Sequence, residues 1–150
     1  KIEVKEKQLL VVWVSGNELY YVDQEGKICC RASLDEIVEK HLPIVYDVSG
    51  KQISLGEEVM TSKFVGFLQE LYQKFPERIG VGVKKFWVPS ILSREIHLET
   101  EGDWKVFFNI DRVVESQLND LKIVIDEQIK DKFDSIEYID LRVENWVYYK

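Results

Sequence analysis

Histidine and cysteine, the residues that most often build metal and redox sites, are scarce in this chain, which has two of each. Cys29 and Cys30 are adjacent, so they can bridge only with strain, and the chain has no second pair to complete a four-ligand zinc site. We interpret them as small residues in or just after a strand; a vicinal redox or soft-metal site is the alternative. His41 and His97 belong to no ligand-spaced motif. We expect His41 at a helix end, His97 on the wet face of a strand, and no metal.

Basic clusters and long apolar runs are also missing. The net charge is −7, and the densest basic spot is Lys84-Lys85, which disfavours nucleic acid and anionic membrane surfaces as partners. The longest apolar run, Leu9 to Val14, is far shorter than the ~20 residues that span a bilayer. The sequence begins without methionine and without a signal-peptide pattern, so we expect an excised domain.

Motifs for nucleotide or covalent chemistry do not occur. Gly80-Val81-Gly82 lies in a strand pattern and lacks the third glycine and following helix of a dinucleotide site, so we expect no cofactor. The 27 acidic residues mostly fit solvated faces and turns. A carboxylate-based hydrolase is the enzymatic alternative, and it would require convergence among Glu95, Glu99, Asp111 and Asp140.

Alternating and helical hydrophobic patterns are what the sequence does contain. Apolar stripes of 3.6-residue period predict long helices at Glu57 to Phe75, ended by Pro76, and at Arg112 to Phe133. Ser33 is placed to cap a short helix. Strands are predicted at Ile2 to Lys5, Leu9 to Val14, Leu19 to Val22, Lys27 to Cys30, Ile79 to Val88, Arg94 to Thr100, Trp104 to Phe108, Ile136 to Val143 and Trp146 to Lys150. This order predicts an α+β fold: a mostly antiparallel sheet with two long helices packed on one face.

The last predicted strand is unusual because both of its faces are apolar. Successive side chains of a strand point to opposite faces, and Trp146-Val147-Tyr148-Tyr149 offers large apolar groups on each. Such a strand either enters the centre of a sheet or lies at an edge that awaits a partner. The pattern alone leaves both possibilities open.

Four stretches in order resemble the extracytoplasmic β-domain of the FtsQ/DivIB family. They are Val4 to Val14 followed by the hairpin Leu19 to Ile28 with Asp23 and Gly26 in its turn, the segment Leu42 to Val45, the pair Glu95 to Leu98 and Trp104 to Phe108 with Leu118, Leu121 and Ile125, and the close Tyr138-Ile139-Asp140-Leu141-Arg142 with Val147. Asn109 to Arg112 departs from the pattern, since the family often has a Leu-Gly pair there.

The resemblance implies a membrane-anchored, extracytoplasmic, non-catalytic scaffold of septum formation that binds FtsB- and FtsL-like partners. Residues 1–5 are then expected to be the tail of a preceding POTRA domain and 6–150 a single β-domain. The implied partner-binding residues are Val143, Glu144, Asn145, Trp146, Val147, Tyr148 and Tyr149. Tyr138, Asp140, Arg142, Asp23 and Gly26 are implied to be structural. The alternative is a POTRA-like or secretion-associated binding domain of another membrane protein.

Overall fold

The computed structural model describes residues 2–3 and 6–150, which build one sheet with helices on both faces. The strands are β1 (Leu9–Ser15), β2 (Glu18–Asp23), β3 (Ile28–Arg31), β4 (Ile44–Asp47), β5 (Val83–Val88), β6 (Glu95–Thr100), β7 (Lys105–Asn109), β8 (Tyr138–Asp140) and β9 (Tyr148–Tyr149). The helices are α1 (Leu34–Lys40), α2 (Ser62–Ile79) and α3 (Val114–Val124). In this part of the chain no helix combines the length and hydrophobicity needed to cross a membrane.

The sheet has nine strands in the order β3-β2-β1-β4-β5-β6-β7-β8-β9. Three neighbouring pairs are parallel, namely β1 with β4, β4 with β5 and β7 with β8, and the other five are antiparallel. The prediction of a mostly antiparallel α+β fold is therefore confirmed. The prediction of two long helices on one face is incomplete, because the short helix that Ser33 was expected to cap, α1, is a third helix and packs on the opposite face.

The main core lies between the sheet and the two longer helices, α2 and α3. Phe108 of β7 is fully buried, and its ring meets those of Phe67 and Phe75 from α2 edge-on, with centroids 6.5 and 6.4 Å apart. Leu118 and Leu121 of α3 belong to the same buried cluster. On the opposite face, helix α1 covers the sheet beside β1 and β2, where Ile37 packs on Val12, Val14 and Tyr21.

Helix α2 begins and ends later than its hydrophobic stripe predicts. Thr61 is the N-cap, and its side chain accepts the N–H of Phe64 at 3.1 Å, so the helix starts after Thr61 and not at Glu57. Pro76 does not end it. The helix continues to Ile79, and Gly80 stops it in the left-handed conformation at φ 83°. The following strand therefore starts at Val83 and not at Ile79.

Helix α3 is shorter than predicted. It runs from Val114 to Val124, then widens into a π-helical turn at Ile125–Ile129, and Lys130 leaves the helical path at φ 58°. Ile125 and Ile129 are still buried, which is why the apolar stripe continues past the end of the α-helix.

The terminal strands are also shorter than predicted. Strand β8 covers only Tyr138–Asp140 of the predicted Ile136 to Val143, and β9 covers only Tyr148–Tyr149. A turn at Glu144-Asn145 joins them, with Asn145 at φ 66°. The predicted strand at Ile2 to Lys5 lies partly outside the described residues; Ile2 and Glu3 have no regular secondary structure.

Candidate partner-binding edge

Strand β9 forms one edge of the sheet and pairs only with β8. Tyr138 and Lys150 exchange both of their backbone hydrogen bonds, at 3.1 and 3.3 Å. Hydrogen-bonded and non-hydrogen-bonded pairs alternate along an antiparallel ladder, so the next pair, Ile139 with Tyr149, is not hydrogen-bonded. The N–H and C=O of Tyr149 therefore point away from β8, and within residues 2–3 and 6–150 no backbone group meets them.

The opposite edge, β3, is partly covered by the chain itself. The N–H of Ile28 donates to the carbonyl of Glu57 at 2.9 Å, and the carbonyl of Ile28 accepts the N–H of Gly56 at 2.8 Å. Lys27 and Glu58 form a bridge beside them. Cys29 and Cys30 lie in this strand as predicted, half-buried and unbridged. The beginning of β3 is thus protected against strand pairing, whereas β9 is not.

The side chains of the C-terminal segment are largely exposed. Trp146 is 65% exposed, Tyr148 54% and Tyr149 47%, and Val143 is similarly accessible. Val147 differs, since it is half-buried against the main core and borders a depression of about 270 Å³ next to α3. The predicted site residues therefore lie together, but Val143 to Val147 form a turn and its flanks rather than a strand.

Cross-strand partners share a face of the sheet, and this gives the two tyrosines of β9 different surroundings. Tyr149 is opposite Ile139, whose side chain belongs to the core between sheet and helices. Tyr148 is opposite Asp140 on the other face. That face is not covered by a helix at β5 to β9, and Trp87, His97 and Phe107 lie side by side on it, with centroids 4.2 and 4.3 Å apart.

Arg142 connects the end of β8 to this open face. Its Nε and Nη2 donate to the carboxylate of Asp140 at 2.9 and 2.7 Å, and its Nη1 forms an ion pair with Glu95 of β6. Its guanidinium also lies 5.2 Å from the ring centre of Phe107. Tyr138 stacks on the same ring at 5.1 Å. These contacts fix the chain immediately before the turn that leads to β9.

The charges of this cluster are paired. Burial acts to raise the pKa of Asp140, but its hydrogen bonds with Arg142 outweigh burial and hold the pKa below its ordinary range. Burial also acts to raise the pKa of Glu95, but the interaction with Arg142 outweighs burial and the pKa is lowered. The Asp140 and Glu95 carboxylates raise the pKa of Arg142, against the effect of burial. All three groups are therefore ionised at neutral pH.

The four carboxylates considered for catalysis do not all meet at one point: Glu95 and Asp140 both bind Arg142, and Glu95 and Asp111 border one depression of about 400 Å³. Glu99 pairs with Lys84 and Lys85, while Asp111 pairs with Lys63 and Arg94. Hydrogen bonds from those last two cations lower the pKa of Asp111. A catalytic acid needs a raised pKa, whereas the pKa values of Glu95, Asp111 and Asp140 are lowered. Within the described residues no three His, Cys, Asp or Glu side chains are placed to hold a metal ion.

The turn between β2 and β3 contains the other two predicted structural residues. The Asp23 carboxylate is buried and accepts the N–H groups of Glu25 and Lys27 at 2.9 and 3.1 Å. Gly26 has φ 81°, and a Cβ there would lie 1.8 Å from the carbonyl oxygen of Met60. Only glycine permits this close approach of the two backbones.

A model of the family "Cell division protein FtsQ/DivIB, C-terminal" matches residues 11–142. The chain belongs to the FtsQ/DivIB family. The resemblance on which the sequence prediction rested is thus confirmed, and it places the chain among cell-division proteins. A search of curated proteins gave no match. The FtsQ/DivIB match ends at Arg142, so the segment Val143 to Lys150 lies beyond it.

Glu95 and Asn109 are the residues of this edge that the sequence did not predict. Glu95 holds Arg142 from β6, and the Asn109 side chain donates to the Arg142 carbonyl at 3.2 Å. Glu95 lies in the predicted strand Arg94 to Thr100, whereas Asn109 lies one residue beyond the predicted end of the next strand. The parallel pairing of β7 with β8 that brings them to Arg142 was not predicted. His97 was predicted on a wet face, which is wrong, because Trp87 and Phe107 leave it only 9% exposed.

Proposed function

We propose that this domain is a non-catalytic scaffold of the cell-division machinery and that β9 adds a strand of a partner protein to its sheet. The open N–H and C=O of Tyr149 are the observation that carries the proposal. Main-chain hydrogen bonds supply affinity in this mode of binding, and alternate side chains supply selectivity. FtsB- and FtsL-like division proteins are the proposed partners, on the strength of the family.

The side chains around Tyr149 support a selective interface. Aromatic residues are the commonest anchors at protein interfaces, and Trp146, Tyr148 and Tyr149 are all exposed here. Tyr148 and Tyr149 point to opposite faces, so an added strand would contact one ring on each side. Val147 and the depression beside α3 extend the contact on the helix face.

A scaffold is also the function that fits the charged groups best. The acidic residues that an enzyme would use are held in ion pairs that keep Glu95, Asp111 and Asp140 ionised. Arg142 uses two of these carboxylates to fix the chain before β9. We therefore assign Asp140 and Arg142 a supporting role at the edge. We further propose, from the family, that the full-length protein is membrane-anchored and that this domain lies outside the cytoplasm.

The proposal is tested by removing one outward backbone donor. Tyr149→Pro removes the N–H that faces the partner, while the hydrogen bonds to β8 are made by the residues on either side. Tyr149→Val is the matched control, because it shortens the side chain but keeps the donor. Val147→Pro tests the next outward position along the chain.

Binding is measured by calorimetry with the extracytoplasmic segments of FtsB- and FtsL-type proteins from the same organism. We expect Tyr149→Pro to weaken binding at least tenfold, since it loses a hydrogen bond worth roughly 1 kcal/mol and its ring obstructs the added strand. Tyr149→Val should retain most of the affinity. Unaltered urea midpoints would show that the variants are folded. Undiminished binding by both proline variants would contradict strand addition at β9.

A further inference from the structure

His97 is a buried titratable group that strand addition itself does not require. Its ring lies between Trp87 and Phe107 at centroid distances of 4.2 and 4.3 Å. Among residues 2–3 and 6–150, neither ring nitrogen has a hydrogen-bond partner. Nε2 approaches the Oε2 of Glu95 to 3.4 Å, a contact too poorly aligned to count as one. Buried polar groups without a hydrogen bond are rare in folded proteins, so this one calls for a physical explanation.

The Glu95 carboxylate is shared between His97 and Arg142. The same oxygen, Oε2, that faces the imidazole forms the ion pair with Nη1 of Arg142. The guanidinium also lies against Phe107, the second neighbour of the imidazole. Arg142 therefore contacts two of the groups that enclose His97, and its release would open the site to water.

Arg142 is also the last residue before the turn to β9 whose backbone is hydrogen-bonded to side chains. Its N–H donates to Asp140 at 3.0 Å, and its carbonyl accepts from Asn109 at 3.2 Å. The turn follows at once, with the N–H of Trp146 donating to the carbonyl of Val143. Because β9 has only two residues and one neighbouring strand, its position depends strongly on this attachment.

The charges around His97 come from every strand packed against it. They are Glu95 and Glu99 on its own strand, Lys85 on β5, Lys105 on β7, Asp140 on β8 and Arg142 after it. Burial lowers the pKa of His97, Glu95 acts to raise it, and the positive charge of Arg142 lowers it further. The closed arrangement thus favours the neutral imidazole.

We propose that His97 makes the Arg142 anchor proton-sensitive: a proton taken up from solvent by the imidazole draws Glu95 away from Arg142 and loosens the hairpin of β8 and β9. Weaker partner binding under acidic conditions follows from this, and that consequence rests on the proposed function. The loosening of the hairpin does not rest on the proposed function.

The direction of the pH effect follows from the linkage between proton binding at His97 and opening of the hairpin. The closed hairpin binds a proton on His97 less readily than an opened one, so acidification through the ordinary histidine range of about 6.5 shifts the equilibrium towards opening. The pKa values of Glu95 and Asp140 lie below their ordinary ranges, so both stay ionised meanwhile. Each unit of pKa difference between the two states is worth roughly tenfold in the opening equilibrium.

Amide hydrogen exchange of Tyr148 and Lys150 in the free domain, followed by NMR from about pH 7.5 to 5.5, tests the hairpin directly. Rates are expressed as protection factors, which removes the intrinsic pH dependence of exchange. His97→Phe keeps a ring between Trp87 and Phe107 but cannot titrate. His41→Gln is the matched control, since His41 is the only other histidine and lies at the exposed end of α1.

We expect protection to fall several-fold with pH in the wild type and in His41→Gln, and to stay constant in His97→Phe. A constant wild-type value, or the same fall in His97→Phe, overturns the inference. If His97→Phe does not fold, NMR titration of the His97 ring decides: Arg142→Gln must raise the pKa of His97, and an unchanged pKa is a contradiction. If the protection factors fall with pH as expected but the domain binds no partner at any pH, only the proposed function is contradicted.

Discussion

Replacing Gly26 with alanine should destabilise the protein far more than its left-handed backbone conformation alone would cost. Gly26 has φ 81°, and its added Cβ would lie 1.8 Å from the carbonyl oxygen and 2.7 Å from the carbonyl carbon of Met60. Both atoms belong to the backbone, so no side-chain rotation relieves the overlap. The two segments must separate until the contact exceeds about 3.0 Å.

The cost has three parts. A non-glycine residue in the left-handed region costs roughly 1 kcal/mol. Separation weakens the hydrogen bonds that the Gly26 carbonyl accepts from Val59 and Met60 at 2.9 and 3.3 Å, each worth about 1 kcal/mol. The side chains of both donor residues are buried, and displacing a packed core costs about 1–3 kcal/mol. We therefore expect a loss of about 3–5 kcal/mol in the free energy of unfolding.

Equilibrium urea denaturation, followed by tryptophan fluorescence, measures this loss. Gly16→Ala is the matched control, because Gly16 has φ 59° but no atom within 4 Å of its added Cβ. It should lose only about 1 kcal/mol. Equal losses in the two variants would refute the reasoning, since the close approach to Met60 would then contribute nothing.

Two further predictions concern the buried amide of Gln117 and the half-buried ion pairs of Arg142. Gln117 is fully buried and donates to the carbonyls of Asn109 and Arg112 at 2.8 and 3.2 Å, so Gln117→Glu should place a carboxylate against them and lose about 3 kcal/mol in urea denaturation at pH 7. The loss should shrink in acid as that carboxyl gains a proton, and an undiminished loss would contradict this. Arg142→Gln should be less stable than the wild type above about pH 5, because it loses the cause of the lowered pKa values of Asp140 and Glu95. The difference in stability between Arg142→Gln and the wild type should narrow as the pH falls through the pKa values of these two carboxyl groups. A difference that stays constant from pH 6 to 3 would contradict their ion pairing with Arg142.

Local patterns in the sequence predicted the local structure well. The 3.6-residue stripes located α2 and α3, because one face of each must be apolar to pack on the sheet. Ser33 caps α1 as predicted, with its side chain accepting the N–H of Glu36. The Asp and Gly of the β2–β3 turn were predictable, because Asp23 accepts backbone N–H groups of the turn and Gly26 takes the left-handed conformation that the turn requires.

Long-range arrangement was not predictable in the same way. The three parallel pairings depend on which strands meet after a crossover, and side-chain alternation does not encode that choice. The prediction that His97 lies on a wet face failed for the same reason, since its burial comes from rings on neighbouring strands. Pro76 was wrongly predicted to end α2. It lies in the last turn of the helix, where the loss of one hydrogen bond costs less than leaving Ile79 unpacked.

The position of β9 decides between the two interpretations of the terminal aromatic segment. Its sequence fits either the centre of a sheet or an open edge, and the fold places it at the edge. The match to the family ends before this segment, at Arg142, so the proposal that the segment binds a partner rests on geometry and not on the match. Strand addition at β9 is therefore the claim that most needs a direct test.

Amide hydrogen exchange at Tyr149, compared between the free domain and its complex with the FtsB-type segment, provides that test. In the free domain the Tyr149 N–H points away from β8 and should exchange rapidly, whereas Lys150 is hydrogen-bonded to Tyr138. On binding, Tyr149 should become strongly protected, because its N–H then joins an added strand. A complex in which Tyr149 still exchanges rapidly, while amides elsewhere become protected, would contradict the account.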